Sequence, residues 1–393
     1  MLIGIVGKPS TGKSSFFMAA TSVVVERSPR PFTTIKPNHA VGYVEVECVD
    51  KEFGVQCNPR TGYCINGRRF VPVELLDVAG LVPGAHEGKG LGNKFLDDLR
   101  QANVLIHIVD ASGSTNENGE KVAIGSYDPA NDIRFLENEL NYWIKGIMDN
   151  NWARLIKDSK KEGNEKTLFD QFTGLGISSS AISRTLNELN LKEKPLEQWS
   201  EEEKFAFAKK MREIGKPMII VANKCDLPGA YENYERLVKQ FPEYLIIPAS
   251  AEAEIALKNA AKNGFIRYIP GDSDFEIIAP LDDQQKKAME FLRSYIKKAS
   301  GTGIQRALNA AVFDFLHYIA VFPGGVNKLA DSKGNILPDC FLMKPGSTAL
   351  DFARTIHSDL AKGFVKAIDV RTKKALGADY VLKHRDIIEI MSR

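Results

Sequence analysis

Eight consecutive residues, Gly7-Lys8-Pro9-Ser10-Thr11-Gly12-Lys13-Ser14, match the pattern G-x-x-x-x-G-K-S/T in full. The residue types suit a phosphate cradle. Gly7 and Gly12 let the backbone turn its N–H groups inward, and Pro9, Ser10, Thr11 and Ser15 complete the loop around the phosphates. Lys13 adds a cation for the β- and γ-phosphates, and Ser14 offers a hydroxyl to Mg2+. Downstream, Asp77-Val78-Ala79-Gly80 supplies a carboxylate for the Mg2+ water shell and a Gly80 amide that can sense a γ-phosphate. In Asn223-Lys224-Cys225-Asp226 the Asp226 carboxylate can accept from the N1 and N2 donors of guanine, which adenine lacks. Ser250-Ala251 can bring backbone N–H groups to guanine O6.

Each of these groups follows a short apolar run. Leu2 to Val6 precedes Gly7, Val71 to Leu76 precedes Asp77, Met218 to Val221 precedes Asn223, and Tyr244 to Ile247 precedes Pro248. A further run, Val104 to Val109, ends at Asp110. Buried strands alternating with helix-length segments predict an α/β fold with a mostly parallel sheet, whose ligands lie beyond the carboxyl ends of the strands. The expected division is a nucleotide-binding domain in two parts, 1–130 and 216–320, a helical insertion at 131–215, and a small domain at 321–393. In the insertion Phe135, Leu136, Leu140, Trp143 and Ile144 recur at helical spacing, and Asp158 to Lys166 reads as a solvated turn. A second helical block spans Asp282 to Lys298. After Pro323-Gly324-Gly325, strands are expected at Cys340 to Met343, Phe364 to Asp369 and Ile387 to Met391. They surround a helix capped by Ser347, with Leu350, Ala353, Ile356 and Leu360 on one face.

Four motifs in this order resemble the TRAFAC-class GTPases. The stretch Asp77-Val-Ala-Gly-Leu-Val-Pro-Gly-Ala-His-Glu-Gly-Lys-Gly-Leu-Gly-Asn-Lys-Phe-Leu96 is similar to the YchF-type branch of the Obg family. Pro31 to Asn38 resembles that family's switch I, and Phe322 to Arg393 resembles a TGS domain, a ubiquitin-like β-grasp module. The resemblance implies a P-loop GTPase using Mg2+, with Ser14, Thr34 and Asp77 as metal ligands and Thr34 preferred over Thr33. Lys13, Thr34 and Gly80 are then the catalytic residues, Asn223 meets purine N7, and Lys224 lies along the ring. YchF-type proteins commonly replace the guanine-reading motif and prefer ATP, whereas Asn223 to Asp226 retain it, so GTP is the expected ligand. Ser10 stands where many Obg relatives carry a potassium-binding Asn, which leaves K+ activation doubtful. Leu81 occupies the position of the water-orienting Gln of Ras-like enzymes, so intrinsic hydrolysis should be slow unless the switch backbone, His86 or a partner orients the water. The alternatives are a nucleotide-stabilised RNA- or ribosome-interaction module with incidental hydrolysis, and an ATP-preferring hydrolase.

The 393 residues carry 52 Lys plus Arg against 50 Asp plus Glu, a net charge of +2, which excludes a global polycation. A local basic excess in the last domain (Lys362, Lys366, Arg371, Lys373, Lys374, Lys383, Arg385), together with the TGS resemblance, points to a ribosome or RNA as partner. No apolar run approaches the ~20 residues needed to span a bilayer, so a cytoplasmic protein without a membrane partner is expected, with a monomer favoured. Five dispersed cysteines fit a reducing compartment. Cys57 and Cys64 flank Asn58 to Gly62, read as a hairpin tip, with Cys48 nearby. Zinc is conceivable there, but without a C-x2-C pair the spacing favours ordinary thiols, then a local disulfide. His107, within an apolar run, reads as a core histidine.

Overall fold

The computed structural model describes residues 1–22, 38–78, 98–331 and 333–393. Its main sheet contains β1 (Leu2–Val6), β2 (His39–Glu47), β3 (Tyr63–Ile65), β4 (Arg68–Asp77), β5 (Val104–Asp110), β6 (Met218–Asn223) and β7 (Ile246–Pro248). The order is β2-β4-β1-β5-β6-β7, with β3 paired to β4. β4, β1, β5, β6 and β7 run parallel, while β2 and β3 are antiparallel to β4. β1 and β5 are buried along their whole length, as continuous Leu, Ile and Val runs require when helices cover both faces. Register aligns the functional ends: Ile5 pairs with Asp77, and Asp110 with Asn223.

Helix α1 (Lys13–Thr21) follows β1, and α2 (Ala130–Asp149) opens a helical layer continued by α3 (Trp152–Glu162), α4 (Asn164–Phe172), α5 (Ser179–Glu188) and α6 (Glu201–Gly215). Leu136, Leu140, Trp143 and Ile144 join the layer's core with Phe172, Trp199 and Phe207, against Leu2, Val6 and Leu105 of the sheet. The turn expected over Asp158 to Lys166 is narrower: only Gly163, with φ 83°, breaks the chain between α3 and α4.

Three more helices, α7 (Ala230–Gln240), α8 (Ala251–Lys262) and α9 (Asp283–Ala299), flank the last strands. Asp282 and Gln285 form a capping box on α9, whose Leu292, Tyr295 and Ile296 pack with Cys225, Ala230 and Leu237. A short hairpin of β8 (Ile266–Arg267) and β9 (Glu276–Ile277) precedes it, and α10 (Ile304–Asn309) follows.

The carboxyl-terminal sheet contains β10 (Ile319–Pro323), β11 (Phe341–Met343), β12 (Phe364–Asp369), β13 (Ala375–Leu376) and β14 (Asp386–Ser392), in the order β11-β10-β14-β12-β13. Its first strand runs through Pro323, ahead of Gly324-Gly325 rather than after them. α11 (Ala349–Ile356) is capped by Thr348 rather than Ser347, because Asp351 completes a capping box from Thr348. The single helical face expected through Leu360 is broken at His357, whose ring accepts the Asp359 N–H and starts α12 (Ser358–Lys362). Asn58 to Gly62 is not the hairpin tip. That tip is Asn66-Gly67, with φ 51° and 78°, the left-handed pair a tight two-residue turn needs.

Candidate nucleotide site

The loop Gly7 to Gly12 leaves β1 and enters α1. A Cβ at Gly7 would lie 2.7 Å from the Ile108 carbonyl oxygen, and one at Gly12 would overlap the Asn223 amide. Gly12 (φ 87°) and Ser10 (φ 64°) both take left-handed backbone, which curls the loop. α1 has neither a side-chain cap nor an acidic residue in its first turn. Its first N–H groups and the positive end of its dipole are therefore left to an anion.

The loop is anchored from below. Lys8, almost fully buried, donates to Asp132 of α2 at 2.9 Å and to the Thr115 carbonyl at 3.0 Å, and its ammonium lies 3.8 Å from the Tyr127 ring centroid. Burial raises the Asp132 carboxyl against the pull of Lys8. A lysine at a variable position of the motif carries no sequence signal, and its partner is 124 residues away. Thr11 closes the turn by donating its hydroxyl to the Lys8 carbonyl.

Asn223, at the end of β6, ties two loops together. Its Nδ2 donates to the Thr11 carbonyl at 2.9 Å and its Oδ1 accepts the Ala251 N–H at 3.1 Å. One Nδ2 proton remains for the expected contact with purine N7. Ser250 caps α8 through its hydroxyl, and its own N–H donates to the Thr302 carbonyl at 3.0 Å. The N–H groups expected to meet guanine O6 are thus both engaged within the protein.

Lys224 (φ 64°) donates to Asp110 at 2.8 Å and to Ser114 at 3.2 Å. Burial pushes the Asp110 carboxyl up, but Lys224 and the hydroxyls of Ser112 and Ser114 outweigh it and hold it below its ordinary value. Asp226 lines the cleft with no hydrogen bond or ion pair to the described residues. His107 is buried within β5, and desolvation, aided by the Lys8 charge, holds it neutral with a pKa of about 3.

A cleft of about 450 Å³ joins Pro9, Ser10, Gly12, Lys13, Ser14 and Ser15 to Asn223, Lys224, Asp226, Ser250 and Ala251. This size accommodates a small-molecule ligand. Lys13 pairs with Asp77, and Ser15 donates to Glu252 at 2.8 Å. Ser14 and Asp77 are oxygen donors near the loop and fit a hard cation such as Mg2+. Thr33, Thr34, Gly80, Leu81 and His86 lie outside the described residues.

Three family models match the chain. Residues 2–138 match a 50S ribosome-binding GTPase, residues 221–325 an Obg-like GTPase YGR210-like, G4 motif-containing domain, and residues 332–392 a TGS domain. An uncharacterized GTP-binding protein of Methanocaldococcus jannaschii is 48% identical over 395 residues, covering 100% of this chain and 99% of that one. The ribosome-binding ATPase YchF of Bacillus subtilis is 27% identical, with 98% and 97% covered. The crystal structure of a GTP binding protein from Pyrococcus horikoshii superposes with a TM-score of 0.76 at 38% identity, covering 100% of both chains. No helix among the described residues is long and apolar enough to cross a membrane.

Proposed function

Because the chain belongs to the YchF-related branch of the Obg-like GTPases, we propose that it binds GTP in the cleft, hydrolyses it slowly to GDP and phosphate, and acts as a nucleotide-dependent switch on ribosomes or RNA. The observation that carries this reading is the braced cleft, where an uncapped helix N-terminus and the Asp226 carboxylate, unpaired among the described residues, line the same space. The loop N–H groups and Lys13 would hold the phosphates, with Lys13 exchanging its contact with Asp77 for phosphate oxygens. Ser14 and Asp77, with Thr34, would hold Mg2+, which supplies charge neutralisation on the β- and γ-oxygens when bound. Asp226 would select guanine, setting this chain apart from the relatives named as ATPases. Leu81 offers no hydrogen bond to an attacking water, which supports slow turnover without a partner. The ribosome reading rests on relatives that are named ribosome-binding and on the exposed lysines of the carboxyl-terminal sheet.

The test is co-sedimentation of the purified protein with ribosomes from its source, in GDP, in a non-hydrolysable GTP analogue and without nucleotide, with GTP turnover followed in parallel. Pelleting that favours the analogue, together with faster turnover, is expected. Pelleting indifferent to nucleotide, with unchanged turnover, would instead identify a nucleotide-stabilised interaction module.

A further inference from the structure

Away from the nucleotide cleft, Cys48, Asp50, Cys57 and Cys64 converge where β2 gives way to β3. One ligand atom from each, three sulfurs and a carboxylate oxygen, lies within 4.8 Å of all the others. Cys48 and Cys57 place their sulfurs 3.7 Å apart, and Cys64 Sγ lies 4.0 Å from Asp50 Oδ2. Cys48, Asp50 and Cys57 are buried, with Asp50 only 1% exposed. Asp50 Oδ2 accepts the Cys57 N–H at 3.2 Å, while Oδ1, equally buried, has no partner among the described residues. A buried carboxylate oxygen without a donor is costly, and a bound cation would satisfy it.

We propose that these four residues hold one thiolate-preferring divalent ion, zinc, as a structural site. The geometry fits a single ion. With Zn–S near 2.3 Å, a tetrahedral site separates its sulfurs by about 3.8 Å, and sulfur from carboxylate oxygen by about 3.5 Å. The 3.7 Å sulfur pair already has this spacing, and the 4.0 Å contact needs about half an ångström of closure. Iron–sulfur clusters separate their ligands by the width of the cluster, and so need a wider cage. Three sulfurs exclude Mg2+ and Ca2+, which prefer oxygen. All four positions come from protein, which marks a structural rather than a catalytic site. Binding would release the three thiol protons. The buried Arg69 guanidinium, close enough to act electrostatically on Cys57, offsets part of the remaining negative charge.

The location gives the ion a task. The segment it would pin carries the contacts to the carboxyl-terminal sheet domain: Asn58 N–H to the Ile336 carbonyl at 2.8 Å, Arg60 N–H to the Pro338 carbonyl at 2.9 Å, and Glu52 to Arg371 at 2.7 Å. The Cys48-x8-Cys57-x6-Cys64 spacing gives no zinc signal by itself, because the fourth ligand is a carboxylate and the closing strand is β3.

The full chain, purified anaerobically without a histidine tag, should contain about one zinc per molecule by elemental analysis. Mercurial reagent should release it and lower the melting temperature. Reconstitution with Co2+ should give thiolate-to-cobalt charge-transfer bands and the intense visible bands of a tetrahedral site. Cys57→Ser and Cys64→Ser should lose the metal, whereas Cys225→Ser should keep it. A cysteine variant that fails to fold would mimic loss of the site, so the cobalt spectrum of the unmutated chain is decisive. No bound zinc and no tetrahedral cobalt spectrum would overturn the proposal, as would a Cys48–Cys57 disulfide in the anaerobic protein or full zinc content in folded Cys57→Ser.

Discussion

Under the proposed function, base choice would rest on Asp226, whose carboxylate lines the cleft with no partner among the described residues. Replacing it by Asn removes one acceptor and presents an N–H2 donor, which suits the 2-carbonyl of xanthine rather than the 2-amino group of guanine. Asp226→Asn should weaken GTP binding by roughly 10²- to 10⁴-fold, the loss expected for two hydrogen bonds to a charged group, and strengthen binding of xanthosine triphosphate. Titration calorimetry with both nucleotides checks this, and unchanged GTP affinity would remove the base-reading role. That the motif residues meet in one cleft was legible because each motif follows an apolar run that reads as a buried strand of one sheet. The supports were not. Lys8 to Asp132, and Asn223 to Thr11 and Ala251, join positions far apart in the chain, and only the folded sheet brings them together.

Among the elements, β5 carries the clearest pH signature. His107 titrates near 3 in the folded chain against an ordinary value of 6.5, because burial, then the Lys8 charge, opposes its protonation. A depressed folded value means the contribution to stability is present above 6.5 and is lost as the pH falls toward 3, because the unfolded chain takes up a proton that the folded chain refuses. His107→Leu removes this term, so its stability relative to the parent should rise by about 2 kcal/mol between about pH 7.5 and 5 in urea titrations. A constant difference would show that the histidine is protonated in the fold. The apolar runs showed where these strands lie because double-sided burial leaves little room for polar residues. Turn and cap details required finer tests. Thr348 beats Ser347 because three residues on lies Asp351 rather than Leu350, and Asn66-Gly67 beats Asn58 to Gly62 because both of its residues tolerate left-handed backbone. The break at His357 left no trace in an apolar spacing that continues through it.

For the whole molecule, the basic excess of the last domain divides: Lys362 pairs with Asp359 on its own helix, and the other six fall into two groups. Arg371 and Arg385 both pair with Glu52 of the nucleotide-binding domain, and Arg385 also meets Glu47. Lys366, Lys373, Lys374 and Lys383 are exposed, with no ion pair to the described residues. Changing these four lysines to Glu should weaken ribosome or RNA binding and reduce the slope of log affinity against log salt by up to about 3. Glu52→Gln should leave that slope unchanged and lower the melting temperature, and a slope that responds equally to both variants would deny the division. The interface itself is more than these charges. Ala320, Phe322, Leu337, Cys340 and Ile387 share one apolar cluster with Ile3, Val46, Val71 and Val73, and buried Arg69 donates to the carbonyls of Leu337 and Pro338. A truncation ahead of Ile319 would therefore not yield a clean GTPase fragment. It would expose half of a shared core and strand a guanidinium, so weak activity in such a fragment would report damage rather than lost regulation, and point substitutions on the lysine face are the sounder way to dissect the two ends of the chain.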